Sequence, residues 1–156
     1  MDSRPDSRPG SQPIPPQPLP EHLDSLLGIQ IKESGPDRVV AGLPVTPKLH
    51  QAFGIVHGGV YATLAETIAS LGAALYLVKA LQERGDATGG DPLGGARVVG
   101  ISNHTEFLRA VRDGELRAEA APVTRGRTTQ LWRVEITDEV GRLVAHSSVR
   151  LMNLYG

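Results

Sequence analysis

The stretch Phe53-Gly54-Ile55-Val56-His57-Gly58-Gly59-Val60-Tyr61-Ala62-Thr63-Leu64-Ala65-Glu66-Thr67-Ile68-Ala69-Ser70-Leu71-Gly72-Ala73-Ala74 decides how the rest of the chain must fold. Two glycines follow a histidine, and the sequence then turns Ala- and Leu-rich, the composition of a buried helix. Between Gly58 and Val78 the only carboxylate or basic side chain is Glu66. A lone carboxylate on an apolar helix is costly to bury, so it needs a partner or a purpose. The glycines let a ligand approach the backbone closely, and a helix start offers unpaired N–H groups. Together they outline a site: amide donors at the helix N-terminus and a carboxylate roughly two turns further in.

The helix is predicted from about His57 to about Leu81, turning polar only at Lys79, Gln82, Glu83 and Arg84, so other elements must wrap it. Upstream, Leu19 to Leu27 reads as a short helix opened by Pro20 and Glu21 and closed by Gly28. Ile29–Glu33 alternates as a strand does, Ser34-Gly35-Pro36-Asp37 is a turn, and Arg38–Val45 is a second strand. Pro44 places the end of that strand on an edge. Thr46–His50 can cap and start one helical turn. Downstream, Gly85–Gly95 is a glycine-rich connection without the Gly-Lys-Ser/Thr ending of a phosphate loop. Four strands follow, at about 97–109, 115–124, 128–137 and 142–153, with hairpin signals at Asp113-Gly114, Arg125-Gly126 and Asp138–Gly141. Polar and apolar residues alternate along 115–120 and 132–136, which wets one face and covers the other. Two strands, a long helix and a four-strand meander make an α+β domain with a curved antiparallel sheet around one central helix.

The 156 residues fit one domain with a real core. Residues 1–19, with Pro5, Pro9, Pro13, Pro15, Pro16 and Pro18, read as a disordered Pro-rich tail before a domain over 20–156. A net charge of −1 gives no broad electrostatic case for nucleic acid. No cysteine is present, so disulfides, thiolate metal sites and a cysteine nucleophile are excluded. Glu66 and polar neighbours interrupt the best apolar run short of the roughly 18 residues of a membrane span. The N-terminal residues lack the apolar core of a secretory signal. A cytoplasmic protein with no nucleic-acid or membrane partner is expected.

The order of elements, with Gln51-Ala52-Phe53-Gly54-Ile55-Val56-His57-Gly58-Gly59 through Leu64-Ala65-Glu66, resembles the hotdog-fold acyl-CoA thioesterases. Gln stands six residues before the His and Glu nine after it. The branch it resembles holds the Arthrobacter-type 4-hydroxybenzoyl-CoA, the 1,4-dihydroxy-2-naphthoyl-CoA and the phenylacetate-pathway thioesterases. The resemblance covers residues 20–153 and extends to Gly100–Thr105, Asp113-Gly114 with Arg117-Ala118-Glu119, and Asp138–Leu143. It implies that Glu66 is the catalytic carboxylate, as nucleophile or general base on water, and that the Gly58 N–H polarises the thioester carbonyl. It further implies that Gln51 orients that carbonyl, His57 shapes the loop, Ser70 places the hydrolytic water and His104 lies near the acyl group. Gly59, Arg109, Arg125, Gly126, Arg127 and Thr128 are the remaining substrate-binding candidates, the arginines for CoA phosphates. A serine rather than a threonine at position 70 leans towards the naphthoyl-type branch, whereas the Gly85–Gly95 loop is longer than either branch leads one to expect. The resemblance implies a homodimer, paired into a tetramer, with the site shared between subunits.

Read alone, the residues are compatible. Glu66 and Ser70, four apart, share a helix face. A thioester needs a carboxylate to attack it or to activate water, and N–H donors where its oxygen gains charge. No cofactor is called for, and the five histidines lack a metal spacing. His22, His50 and His146 read as surface or sheet residues, and His57 reads equally as a helix-entry residue bonded to backbone. The Asp-and-His constellation of an acyl-CoA dehydratase is not found. The rival from another class is a non-catalytic acyl-CoA-binding or regulatory hotdog module.

Overall fold

The computed structural model describes residues 22–86 and 95–155; the Pro-rich 1–19 segment, the Pro20–Glu21 helix start and most of the 85–95 connection lie outside these. A short helix α1 (Leu23–Leu27) is closed by Gly28 at φ 87°, as its glycine predicts. Then come β1 (Gln30–Ser34), β2 (Val39–Pro44), a 3₁₀ turn (Pro47–Leu49) and the long helix α2 (Gly58–Arg84). Four strands complete the chain: β3 (Arg97–Phe107), β4 (Glu115–Arg125), β5 (Thr129–Thr137) and β6 (Leu143–Leu154). All six strands form one antiparallel sheet in the order β1-β2-β4-β5-β6-β3. The sheet curves around α2, the α+β hotdog architecture that the resemblance implies.

One expectation is corrected. β3 to β6 do not form a four-strand meander, and Asp113-Gly114 is not a hairpin turn. β4 pairs with β2, and β3 pairs with β6 at the far edge. Residues 108–114 therefore carry the chain from one edge back to the middle of the sheet. The other two turns are hairpins. At the second, the Asp138 carboxylate accepts from the Val140 and Arg142 N–H groups and so closes the turn. Pro44 reads correctly in a narrower sense. β2 is an interior strand, but β1 reaches only to Gly42 along it, so the missing Pro44 N–H breaks no ladder on that side.

The core lies between the inner sheet face and one stripe of α2. Val60, Tyr61, Leu64, Ala65, Ile68, Ala69, Ala73, Leu77 and Leu81 form that stripe at helical spacing. Leu43, Leu116, Ala118, Ala120, Trp132, Val134, Ile136, Val149 and Leu151 meet it from the sheet. Burying each Leu, Ile or Val of this set stabilises the fold by about 1.5–3 kcal/mol. The buried Gln130 amide donates to the Ala73 carbonyl at 3.2 Å and to Asn153 at 2.8 Å, and accepts from the Trp132 indole N–H at 3.0 Å. That satisfied network fixes the second half of α2 on the sheet. By length and composition α2 would pass for a membrane span, with a mean hydropathy of 1.4 over its best 18 residues. It is instead the core helix, packed on one side only. Thr63, Glu66, Thr67, Ser70 and Ala74 lie outside that stripe and are partly or fully exposed.

Candidate active site

The loop before α2 is held rigid from several directions. The Gln51 N–H donates to the Ile55 carbonyl at 2.9 Å, and the Gly54 N–H returns to the Gln51 carbonyl at 3.0 Å. His50 Nε2 meets the Arg112 carbonyl at 2.7 Å, and the Arg112 guanidinium donates to the Gly54 carbonyl at 3.2 Å. The Gln51 side-chain oxygen accepts from the Phe53 N–H, and its NH₂ has no partner among the described residues. His57 is the N-cap of α2, and its Nδ1 accepts from the Gly59 N–H at 2.9 Å. This is the helix-entry role that the sequence left open for it. The neighbouring Gly58 N–H donates to nothing among the described residues, so it is an unpaired donor at the positive end of a 27-residue helix.

With the Phe107 ring in place, position 58 has room for glycine and no larger residue. A Cβ there would stand 2.6 Å from the Phe107 ring, which closes over the helix start from the end of β3. Phe107 in turn packs tilted on the Tyr61 ring, with centroids 5.9 Å apart. Gln51, Gly58, Tyr61, Phe107 and Arg109 line one cavity of about 320 Å³. Its size is that of a small-ligand site.

Glu66 stands apart from this cavity. Eight residues of helix separate it from Gly58, a rise of about 12 Å. It is exposed, which corrects the expectation of a buried carboxylate: Glu66 stands outside the buried stripe of α2, beside the edge strand. It lies instead over β3, where a Cβ on Gly100 would come within 2.7 Å of Glu66 Oε1. Ser70 follows one turn on, half-buried on the same side. β3 is tied beneath α2 by Asn103, whose side chain donates to the Ala62 carbonyl at 2.9 Å and accepts from the Thr105 hydroxyl at 2.7 Å.

His104 is not where the resemblance implies. An extra residue, Ile101, enters β3 between Gly100, opposite Leu151, and Ser102, opposite Arg150. From there on Asn103, Thr105 and Phe107 face α2, and His104 points to the outer sheet face beside Glu106. Phe107 and Tyr61 are the site residues that sequence reading missed. A period-two count started after the bulge would have found Phe107; nothing in the sequence marked Tyr61.

The phosphate candidates also separate. Arg109 lines the Gly58 cavity, and its guanidinium donates to the Leu143 carbonyl at 2.6 Å. Arg125 lies about 23 Å away along the strands, level with Gly100 across the sheet. It pairs with Asp37 at 2.6 Å and stacks over the Tyr76 ring at 4.5 Å. Gly126, Arg127 and Thr128 form the exposed turn beside it, where the Arg127 carbonyl accepts from Asn153 and Tyr155. Among the described residues no three His, Asp or Glu side chains converge as metal ligands. A larger hollow of about 490 Å³ opens on the outer face between Lys32, Glu115, Arg117 and Glu139; its walls carry both signs of charge and none of the residues above.

Residues 53–145 match the family model of the thioesterase superfamily. The chain is 44% identical over 147 residues to Rv1847 of Mycobacterium tuberculosis, a protein whose designation as an esterase is provisional; the match takes in 92% of this chain and 96% of that one. The solved structure of that protein aligns with a TM-score of 0.73 over 85% of this chain and 96% of the other. The structure of thioesterase HI1161 from Haemophilus influenzae, 36% identical, aligns with a TM-score of 0.71 over 84% of this chain and 81% of that one. The 1,4-dihydroxy-2-naphthoyl-CoA hydrolase of Escherichia coli is 33% identical over 126 residues, 81% of this chain and 82% of its own. The matched interval covers more than half of the chain, from Phe53 through α2, β3, β4 and β5, so the chain belongs to the thioesterase superfamily and carries its hotdog fold.

Proposed function

We propose that the protein hydrolyses an acyl-CoA thioester with an aromatic acyl group to the carboxylic acid and free CoA, and that it does so as a dimer. The carrying observation is the arrangement along β3. The Gly58 donor stands by Phe107 at one end of this edge strand, and Glu66 stands over Gly100 at the other. A carbonyl held on the Gly58 N–H is out of reach of the Glu66 of the same chain. A second copy paired antiparallel along β3, with a two-fold axis near Asn103 and His104, sets its Gly100 opposite Phe107 and brings its Glu66 to the first copy's Gly58. The same rotation carries the second copy's Arg125–Thr128 turn to the Arg109 side, so the candidates for the CoA phosphates regroup around one site.

In that site the Gly58 N–H and the helix dipole hold the thioester oxygen as it gains charge. The Gln51 NH₂ is a second donor, and His57 keeps the loop in place. Glu66 either attacks the carbonyl carbon, giving an anhydride that water opens, or takes a proton from water that Ser70 positions. In both courses the water oxygen ends on the acyl carbon, and sulfur leaves with a proton as the CoA thiol. No cofactor takes part. Pairing of dimers into a tetramer, and a cytoplasmic location, accompany this reading. The sequence identity to a 1,4-dihydroxy-2-naphthoyl-CoA hydrolase supports an aromatic acyl group.

The test is free-thiol release from benzoyl-, 4-hydroxybenzoyl-, phenylacetyl-, 1,4-dihydroxy-2-naphthoyl- and medium-chain fatty acyl-CoA, with wild type and Glu66→Ala. Turnover of an aromatic ester that Glu66→Ala abolishes is the expected result. No turnover by a folded protein that still binds these esters would replace the enzyme with a non-catalytic acyl-CoA-binding module.

A further inference from the structure

Tyr61 is 2% exposed, and its hydroxyl is buried with no hydrogen-bond partner. Almost every buried polar side chain in a folded protein finds a partner, because a desolvated and unpaired hydroxyl carries a penalty with no return. Here burial also pushes the phenol pKa up, so the group is a neutral O–H at physiological pH. Among the described residues nothing answers it: Tyr61 belongs to an otherwise apolar core cluster, and the Phe107 beside it offers only a ring. The same tyrosine forms part of the cavity shared by Gln51, Gly58 and Phe107. The Phe107 ring, 58% exposed, is the wall with room to turn aside.

We infer that Tyr61 is a specificity-determining residue, whose hydroxyl hydrogen-bonds a polar group at the far end of the acyl moiety, such as a hydroxyl or carbonyl. This rests on the thioesterase reading of the site and adds to it what the acyl group must carry. A thioester held on Gly58 N–H extends its acyl group past Phe107 towards Tyr61. An apolar tip leaves the phenol unpaired, and a polar tip completes it. Sites built around a hydroxyl discriminate by what they leave unpaired when the partner group is missing.

The experiment compares wild type with Tyr61→Phe in two ways. The first is the ratio of kcat/KM for 4-hydroxybenzoyl-CoA to that for benzoyl-CoA. The second is the ratio of their Kd values for 4-hydroxyphenacyl-CoA and phenacyl-CoA, thioethers that cannot be hydrolysed. Wild type is expected to prefer the hydroxylated member of each pair, and Tyr61→Phe to lose about 10-fold of that preference. Its Tm should be equal to or above that of wild type, since no protein hydrogen bond is lost. An unchanged ratio, a fall in Tm, or failure of the wild type to bind either thioether overturns the inference. Absence of turnover with the binding preference intact would overturn the thioesterase reading alone.

Discussion

β1 ends the sheet in five residues, and β3 ends it in eleven. β1 is interrupted between Ile31 and Glu33, carries Lys32, and has its Glu33 tied to Arg38. Shortness, a bulge and charge are the usual means of keeping an edge from pairing. β3 has its own irregularity at Ile101, yet it then runs unbroken from Ser102 to Phe107. It exposes Val99, Ile101 and Phe107, and among the described residues no strand pairs with it on that side. Both halves of the candidate site, Gly58 and Glu66, lie above β3, and neither lies near β1. The open edge is therefore the one beside the candidate site, and the guarded edge lies away from it.

The largest effect expected is from Glu66→Gln, which should lower kcat/KM for thiol release about 10³-fold. Glu66 is exposed, so circular dichroism and Tm should match wild type; a large Tm loss would mean that the side chain is structural instead. The two edges are compared directly by a matched pair, Ile101→Lys on β3 and Ile31→Lys on β1, at residues of similar exposure. Sedimentation of Ile101→Lys should show a monomer with activity lost alongside the dimer, whereas Ile31→Lys should keep assembly and activity. The reverse outcome would move the interface to β1. Gly100→Ala should push the Glu66 carboxylate aside, and kcat should fall by up to about 10²-fold. Its Tm should change little, because the atom in the way is the end of a flexible side chain.

The smallest effect concerns pH and the β1 side. The Arg38 guanidinium, helped by Arg117, holds the Glu119 carboxyl down to about 2 from its ordinary 4.5. A depressed folded-state pKa contributes stability above the unfolded value, and that stability is lost as pH falls from about 4.5 towards 2. The pair is solvent-screened, so the contribution is under about 1 kcal/mol. Urea melts of wild type and Glu119→Gln between pH 6 and pH 3 should converge as the pH drops. Curves that stay parallel would show that the pair contributes nothing.

Local chemistry made much of this readable. The apolar spacing from Gly58 onward marks α2, Gly28 closes α1, and two of the three hairpin turns sit where their residues demand. Asp113-Gly114 misled because a turn dipeptide reports the local bend and says nothing of which strand the chain then joins. His104 came from the resemblance alone, and a motif match carries no strand register: the extra residue Ile101 decides which face His104 takes. One extra residue moves every later side chain to the other face, and the pairing with β6 that creates this bulge involves residues some fifty positions away.

What the sequence by itself determined is a central helix with free amide donors at its start, one carboxylate along it, and a sheet to wrap it. These follow from periodicity, capping and glycine content, which act over a few residues. What only the tertiary structure decided is which edge stays open, that Gly58 and Glu66 stand at opposite ends of β3, and that Tyr61 is buried with its hydroxyl unanswered. Each of these depends on contacts between distant segments, where strand order, register and desolvation are settled by packing, and no local pattern encodes that.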